Sequence, residues 1–240
     1  MPGRERITPL LHLPPGGCHP RGFTGKNSFA DAFNLLSGHA ATIFDVGANA
    51  GETAAEFRKL WPHASIHCFE PYPRIYDSLV DRFIGDCRVR CLPFAVGAVS
   101  GTASLHTFEN DVCNSLSPFS ATAGRYIEGS MTSLGTVPVQ LVTLDDYSAK
   151  NGIESIDLLK IDVQGGEMDV LSGSHLLLED RRIRLVYAEV LFVDIYEGQS
   201  WFWDVAAFLH GKGYEMYDFY NFAYSEDGQL KWGDAIFLLA

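Results

Sequence analysis

The sequence predicts an α/β fold, with a doubly wound, mostly parallel sheet, flanking helices and an antiparallel hairpin at its C-terminal edge. Three observations predict it. Short apolar runs alternate with segments of helical periodicity. One run, residues 42–46, passes through two glycines straight into a helical segment, the strand–loop–helix order of a nucleotide-type site. Near the C-terminus two aromatic-rich runs flank Asp227-Gly228, a turn signal.

The first of the elements follows a lead-in expected to be irregular over residues 1–26, where Pro14-Pro15-Gly16-Gly17 is the strongest breaker. Residues 27–240 are expected to form a single domain. Asn27 or Ser28 can cap a short helix over 29–36, whose Phe29, Phe33 and Leu36 share a face, with Gly38 as a stop. Strand 42–46 is apolar on both faces, as a central parallel strand should be. A helix over 52–60 follows. Strand 65–69 ends at Glu70-Pro71-Tyr72-Pro73, whose prolines delay the next helix to 74–83. Residues 87–96 are strand material, and Gly97 and Gly101 punctuate a turn into 102–108, a hairpin-like excursion.

Residues 109–136 are polar and rich in Ser, Thr and Gly, which marks a substrate-facing loop or lid. A strand resumes over 137–144, and Asp145-Asp146 then caps a turn or short helix. Residues 156–163 form a buried strand, followed by Gly165-Gly166 and a helix over 167–178. Strand 183–190 ends near Glu189. A helix over 201–210 stops at Gly211 and Gly213, and strands over 214–220 and 235–239 pair antiparallel.

With 240 residues, 47% hydrophobic, the chain can bury a sizeable core. A formal net charge of -12 argues against a surface that grips nucleic acid or acidic lipid. Five cysteines, with no Cys-x-x-Cys pair, read as reduced thiols. Residues 1–20 lack the continuous apolar core of a signal peptide, and no run reaches membrane-spanning length. The expectation is a soluble, cytoplasmic protein with no membrane and no nucleic-acid partner.

Asp45, Glu70 and Asp162 all fall at strand ends, so a parallel sheet should bring them to one crevice. Glu70 lies nineteen positions after Gly51, the spacing of a carboxylate that bonds both ribose hydroxyls. That spacing suits dinucleotide and adenosyl cofactors alike. The loop separates them. A dinucleotide fingerprint needs Gly-x-Gly-x-x-Gly for backbone to press on a pyrophosphate, whereas Gly47 and Gly51 are four apart with Asn49 between. S-adenosylmethionine has no phosphate; it carries an ammonium, a carboxylate and a sulfonium. Asp45 can attract its cationic end, and N–H groups of the loop and helix start can hold its carboxylate.

Three phrases carry a family resemblance: Phe44-Asp45-Val46-Gly47-Ala48-Asn49-Ala50-Gly51, Cys68-Phe69-Glu70-Pro71-Tyr72-Pro73 and Leu159-Lys160-Ile161-Asp162-Val163-Gln164-Gly165-Gly166-Glu167. In order and spacing they resemble the FkbM family of S-adenosylmethionine-dependent methyltransferases, over roughly residues 41–192. Several members methylate hydroxyls of natural products and sugars, and family members often have Glu where this chain has Gln164. The resemblance implies a class I methyltransferase (Rossmann-like) fold. It places Gly47, Asn49 and Gly51 around the methionine moiety, Glu70 on the ribose, and the adenine near Ala95-Val96. Those two offer only apolar side chains, so backbone or a neighbour must bond the adenine amine.

Methyl transfer to a hydroxyl needs the nucleophile aligned and its proton removed. Asp162 is the first candidate to orient the acceptor or take its proton; touching only cofactor, or capping the helix at Glu167, is the plainer alternative. Glu189 is the second polar contact, because an acid closing an apolar strand needs a partner or a task. Glu167 reads as a first-turn helix carboxylate. Lys160 is expected to face away from Asp162's side of the crevice. A divalent metal shared by Asp162 and Glu189 is conceivable but not favoured, because there is no His–carboxylate spacing beside them. His39, His106 and His175 have no local pattern selecting a base. The expected acceptor is a small molecule, sugar or natural product. An NAD-dependent dehydrogenase or epimerase and a non-catalytic adenosyl-binding protein are the alternatives. The first lacks its Tyr-x-x-x-Lys pair, since Tyr147 and Lys150 are one residue too close.

Overall fold

The computed structural model describes residues 27–240; the expectations for residues 1–26, Cys18 among them, lie outside the described residues. The chain opens with α1 (Ser28–Leu35), capped by Asn27, whose side chain accepts from the N–H groups of Phe29 and Ala30. There follow β1 (Thr42–Val46), α2 (Glu52–Leu60), β2 (Ser65–Phe69), α3 (Pro73–Arg82), β3 (Val89–Leu92), β4 (Phe94–Val96), β5 (Gly101–Phe108) and β6 (Ser133–Val142). The second half comprises α4 (Leu144–Asn151), β7 (Ile156–Ile161), α5 (Glu167–Ser172), α6 (His175–Glu179), β8 (Ile183–Leu191), α7 (Phe202–Gly211), β9 (Tyr214–Tyr224) and β10 (Leu230–Leu239).

Seven strands form the main sheet in the order β3-β2-β1-β7-β8-β10-β9. The first five run parallel, while β10 lies antiparallel between β8 and β9. The chain works outward from β1 to β3 and then returns to lay β7 on the other side of β1. The order therefore reverses between β1 and β7, which is where an open α/β sheet binds ligands. Apolar residues fill both faces. Phe44, Phe69 and Leu159 sit in one core cluster, and Ile43, Ile66 and Phe57 in the other.

Four expectations need correction. Residues 87–96 do not make one strand: β3 joins the main sheet, but β4 leaves to pair with β6 in a second sheet, order β4-β6-β5. Strand 137–144 begins earlier, at Ser133, and ends earlier, because Thr143 caps α4 through its hydroxyl on the Asp146 N–H. The helix over 167–178 is two helices, broken at Gly173, where a Cβ would fall 2.1 Å from the Gly97 carbonyl oxygen. That close approach of two backbones needs glycine. In the C-terminal hairpin, β9 runs on to Tyr224 and β10 starts at Leu230, so the hairpin is longer than the apolar runs alone indicate. Among the described residues no helix is long and apolar enough to cross a membrane.

Candidate active site

A cavity of about 770 Å³ opens at the carboxyl ends of β1, β2 and β7, where the strand order reverses. Its floor is the loop after β1. Gly47 has φ +74, and a Cβ there would fall 1.8 Å from the Asp162 carbonyl oxygen. The absence of that side chain lets the first strand's loop lie against the end of β7. Gly51 has φ +85 and abuts Phe83 and Leu79 of the α3 layer. Asn49 holds φ +46, and its side-chain oxygen accepts from the Ala50 N–H at 2.7 Å.

The loop's N–H groups are spent internally. Those of Gly47 and Ala48 both donate to the Phe69 carbonyl at 3.0 Å, Asn49 donates to Glu70, and Gly51 to the Ala48 carbonyl. The expectation that these loop groups receive an anion is thereby corrected. The N–H groups available for that role belong to the first turn of α2, where Glu52 and Thr53 line the cavity.

Glu70 lines the cavity while its carboxylate accepts from the Asn49 N–H at 3.0 Å and the Tyr72 N–H at 2.8 Å. It therefore ties the β1 loop to the loop after β2. Burial pushes its pKa up to about 7, against the pull of those two bonds. Phe94, Ala95 and Val96 form an apolar wall beyond it. Residues 110–116 from the polar segment also line the cavity, and the hairpin contributes Ala223, Tyr224, Lys231 and Trp232.

Asp45 and Lys160 occupy other places than the sequence reading gave them. Asp45 is fully buried and does not face the cavity. The two residues are register partners on adjacent parallel strands, and Lys160 Nζ lies 3.2 Å from Asp45. Lys160 also lies 3.4 Å from Asp162 and donates to the Gly47 carbonyl at 2.8 Å. Burial raises the Asp45 carboxyl pKa, with Lys160 opposing it. For Lys160 burial works against the charge, but Asp45 and Asp162 outweigh it and hold the ammonium protonated. The lysine is thus a buried pin joining β1, its loop and β7. Residues two apart on a strand share a face, so Lys160 and Asp162 belong on the same side; the opposite assignment misread that period.

Asp162 is about a third exposed, with its carboxylate at the cavity. Gln164 joins it to Glu189: one side-chain nitrogen donates to both carboxylates at 2.8 Å. Glu189 is held well above the ordinary carboxyl range, by burial first and then by Asp162 and Asp234. Asp234 stands opposite Glu189 in the β8–β10 register and accepts from Tyr187 and Asn221. Glu167 is buried and accepts from the Gly165 N–H at 3.0 Å and the Val163 N–H at 3.4 Å. It braces the loop after β7 from the first turn of its helix, as its place in the sequence indicated.

The structure therefore brings Gly47, Asn49, Glu70, Ala95, Val96, Asp162 and Glu189 to one cavity and sets Asp45 and Gly51 just behind it. Gln164 is marked in the sequence only as standing where family members often have Glu, while Tyr196, Ser115 and Asp234 carry no sequence signal. They come from separate segments, and only the hairpin pairing and the loop's course put them beside Asp162.

A seven-stranded sheet with one antiparallel strand next to its edge, and a crevice of this build beside β1, define the class I methyltransferase fold. The family model for the methyltransferase FkbM domain matches residues 45–216. The 2-O-methyltransferase NoeI of Sinorhizobium fredii is 31% identical over 172 residues, covering 69% of this chain and 70% of that one. The 31-O-demethyl-FK506 methyltransferase FkbM of Streptomyces tacrolimicus is 30% identical over 197 residues, covering 72% of each. Among solved structures, the precorrin-6y C5,15-methyltransferase of Geobacter metallireducens GS-15 aligns with TM-score 0.47 at 12% identity, over 88% of this chain and 87% of that one. The chain belongs to the FkbM family of S-adenosylmethionine-dependent methyltransferases. The dehydrogenase or epimerase alternative is overturned by that membership.

Proposed function

We propose that the protein transfers the methyl group of S-adenosylmethionine to a hydroxyl of a small-molecule or glycan acceptor, with Asp162 and Glu189 receiving that hydroxyl. The observation that carries the reading is the placement of this acid pair in the same cavity as Glu70 and the β1 loop. Glu70 takes the ribose hydroxyls, the wall at Ala95 and Val96 takes the adenine, and the first turn of α2 meets the methionine carboxylate. Gly47 and Asn49 shape the floor beneath the methionine chain. Asp45 contributes through Lys160 rather than by contact.

Held there, S-adenosylmethionine would supply a methyl group to the acceptor oxygen and leave as S-adenosylhomocysteine, and Asp162 would take the O–H proton. This needs the acceptor held in line and a proton acceptor within reach, both of which the pair supplies. The relatives' names, a 2-O-methyltransferase and an O-demethyl-FK506 methyltransferase, support oxygen as the methylated atom. An acidic chain whose described cysteines are all unpaired fits a reducing cytoplasm and an acceptor that is neither nucleic acid nor membrane.

Transfer of labelled methyl from the donor to a panel of hydroxylated glycosides and natural products tests this reading. Asp162→Asn should lower turnover about 100-fold or more while changing donor affinity by less than about threefold. Wild-type turnover in the variant would remove Asp162 from the chemistry, and donor binding without transfer to any acceptor would favour a non-catalytic adenosyl-binding protein.

The Glu70 carboxyl must be ionised to accept both ribose hydroxyls. Donor affinity should therefore rise with pH and level off above about 7, falling by up to about tenfold per pH unit below it. Glu70→Gln should bind more weakly and lose that dependence. Calorimetric titration across the range reads both.

A further inference from the structure

Gln164 is held more firmly than a loop residue needs to be. Its backbone lies in the left-handed region at φ +58, a conformation that costs energy in any residue with a side chain. Its carbonyl accepts from the Ser115 hydroxyl at 2.7 Å. Its side-chain oxygen accepts from the Tyr196 hydroxyl at 2.9 Å, and that hydroxyl also meets the Cys113 carbonyl at 3.2 Å. With the oxygen so engaged, the amide orientation is fixed and both N–H bonds point the other way, one to Asp162 Oδ1 and one to Glu189 Oε2. Lys160 approaches the other oxygen, Asp162 Oδ2.

Two acids side by side each disfavour the other's charged form unless something positive lies between them. A divalent cation is one such bridge, and a carboxamide NH₂ with two diverging N–H bonds is another. Bonds of 2.8 Å from one nitrogen put the two accepting oxygens roughly 5 Å apart. Two oxygens on opposite sides of a calcium ion lie about 4.6–5.2 Å apart, a similar span. We infer that the Gln164 carboxamide stands in the seat of a bridging cation, making Gln164 the positioning residue that holds Asp162 and Glu189 converged on the acceptor hydroxyl. The role rests on the proposed function above, which assigns the pair to the acceptor. Gln164 touches neither reacting atom; it acts through the two acids. Ser115 and Tyr196 extend the arrangement to the cavity-lining segment 110–116, so the loop over the acceptor and the acids beneath it share one anchor.

The seat can be tested without knowing the acceptor. Gln164→Glu puts a third carboxylate among the two, and calcium is titrated calorimetrically into this variant and the wild type, each saturated with S-adenosylhomocysteine. The expected result is at least tenfold tighter calcium binding by the variant, lost again when Asp162→Asn is added. Equal binding by wild type and variant, or none by either, overturns the inference. A second measurement uses the unaltered protein. Gln164 is one of four glutamines, so ¹⁵N-glutamine labelling, assigned with Gln164→Leu, resolves its side-chain NH₂. Both of its protons should exchange with solvent at least tenfold more slowly than those of exposed Gln140; equal rates overturn the bridge even if Gln164→Glu fails to fold. Failure to bind S-adenosylhomocysteine at all is a different result, and it counts against the cofactor reading instead.

Discussion

Lys160→Met should destabilise the protein by about 3–5 kcal/mol, because it leaves Asp45 buried without the ammonium it pairs with. For a chain of this size the loss corresponds to a fall of roughly 6–20 °C in Tm. Asp45 cannot turn to solvent, since β1 is covered on both faces, and the methionine returns neither the charge nor the bond to the Gly47 carbonyl. The double variant Asp45→Asn with Lys160→Met should recover a substantial part of the loss, since no unpaired charge then stays inside. Urea unfolding of the two single variants and the double gives the comparison. Additive losses would mean that the pair is not coupled and that Lys160 stabilises the site through Asp162 or the Gly47 carbonyl alone.

Gly47→Ala should abolish donor binding and cost about 3 kcal/mol or more of stability. Two independent terms act together. An alanine at φ +74 is strained, and its Cβ would lie 1.8 Å from the Asp162 carbonyl oxygen, which is backbone and has nowhere to go. Relief requires the β1 loop to lift from the end of β7. That movement would carry Asn49 away from Glu70 and shift Asp162 at the acceptor end. Gly51→Ala meets side-chain atoms of Phe83 and Leu79 instead, which can move, so its effect should be smaller. Thermal melts with and without S-adenosylhomocysteine separate the two variants. A ligand-induced rise in Tm that survives in Gly47→Ala would show that the loop tolerates the displacement.

The central strands and their loops were legible because each carries its own local signal. The bounds of β1, α2 and β2 follow from an apolar run, a glycine pair or a proline cluster, and the structure returns them unchanged. Glu70 was legible for the same reason, as its distance from Gly51 encodes one strand–loop–helix–strand unit. What depends on pairing between distant segments was not. In residues 87–96 Pro93 marks a break, but both halves are equally strand-like and nothing there says that the second half joins another sheet. The break at Gly173 depends on Gly97, seventy-six positions earlier. The extent of the hairpin depends on pairing across bulges that interrupt the alternation of apolar residues.

The candidate site divides along the same line. Asp162 and Glu189 could be placed at strand ends from the sequence, but their bridge could not, since Gln164 owes its orientation to Tyr196, thirty-two positions on. Asp45 stands out in the sequence, and the structure sets it behind the cavity, paired with Lys160. A carboxylate at the end of a central strand reads as a ligand contact until its register partner is known, and here that partner is Lys160. The family resemblance pointed to the donor and could not supply these side-chain contacts.

This cavity is built for S-adenosylmethionine and not for a dinucleotide. Calorimetric titration of the full chain with S-adenosylhomocysteine and, separately, with NAD tests it most directly. Saturable one-to-one binding of S-adenosylhomocysteine is expected, weakened by Glu70→Gln, with no heat of binding for NAD. Saturable binding of NAD with none for S-adenosylhomocysteine would contradict it.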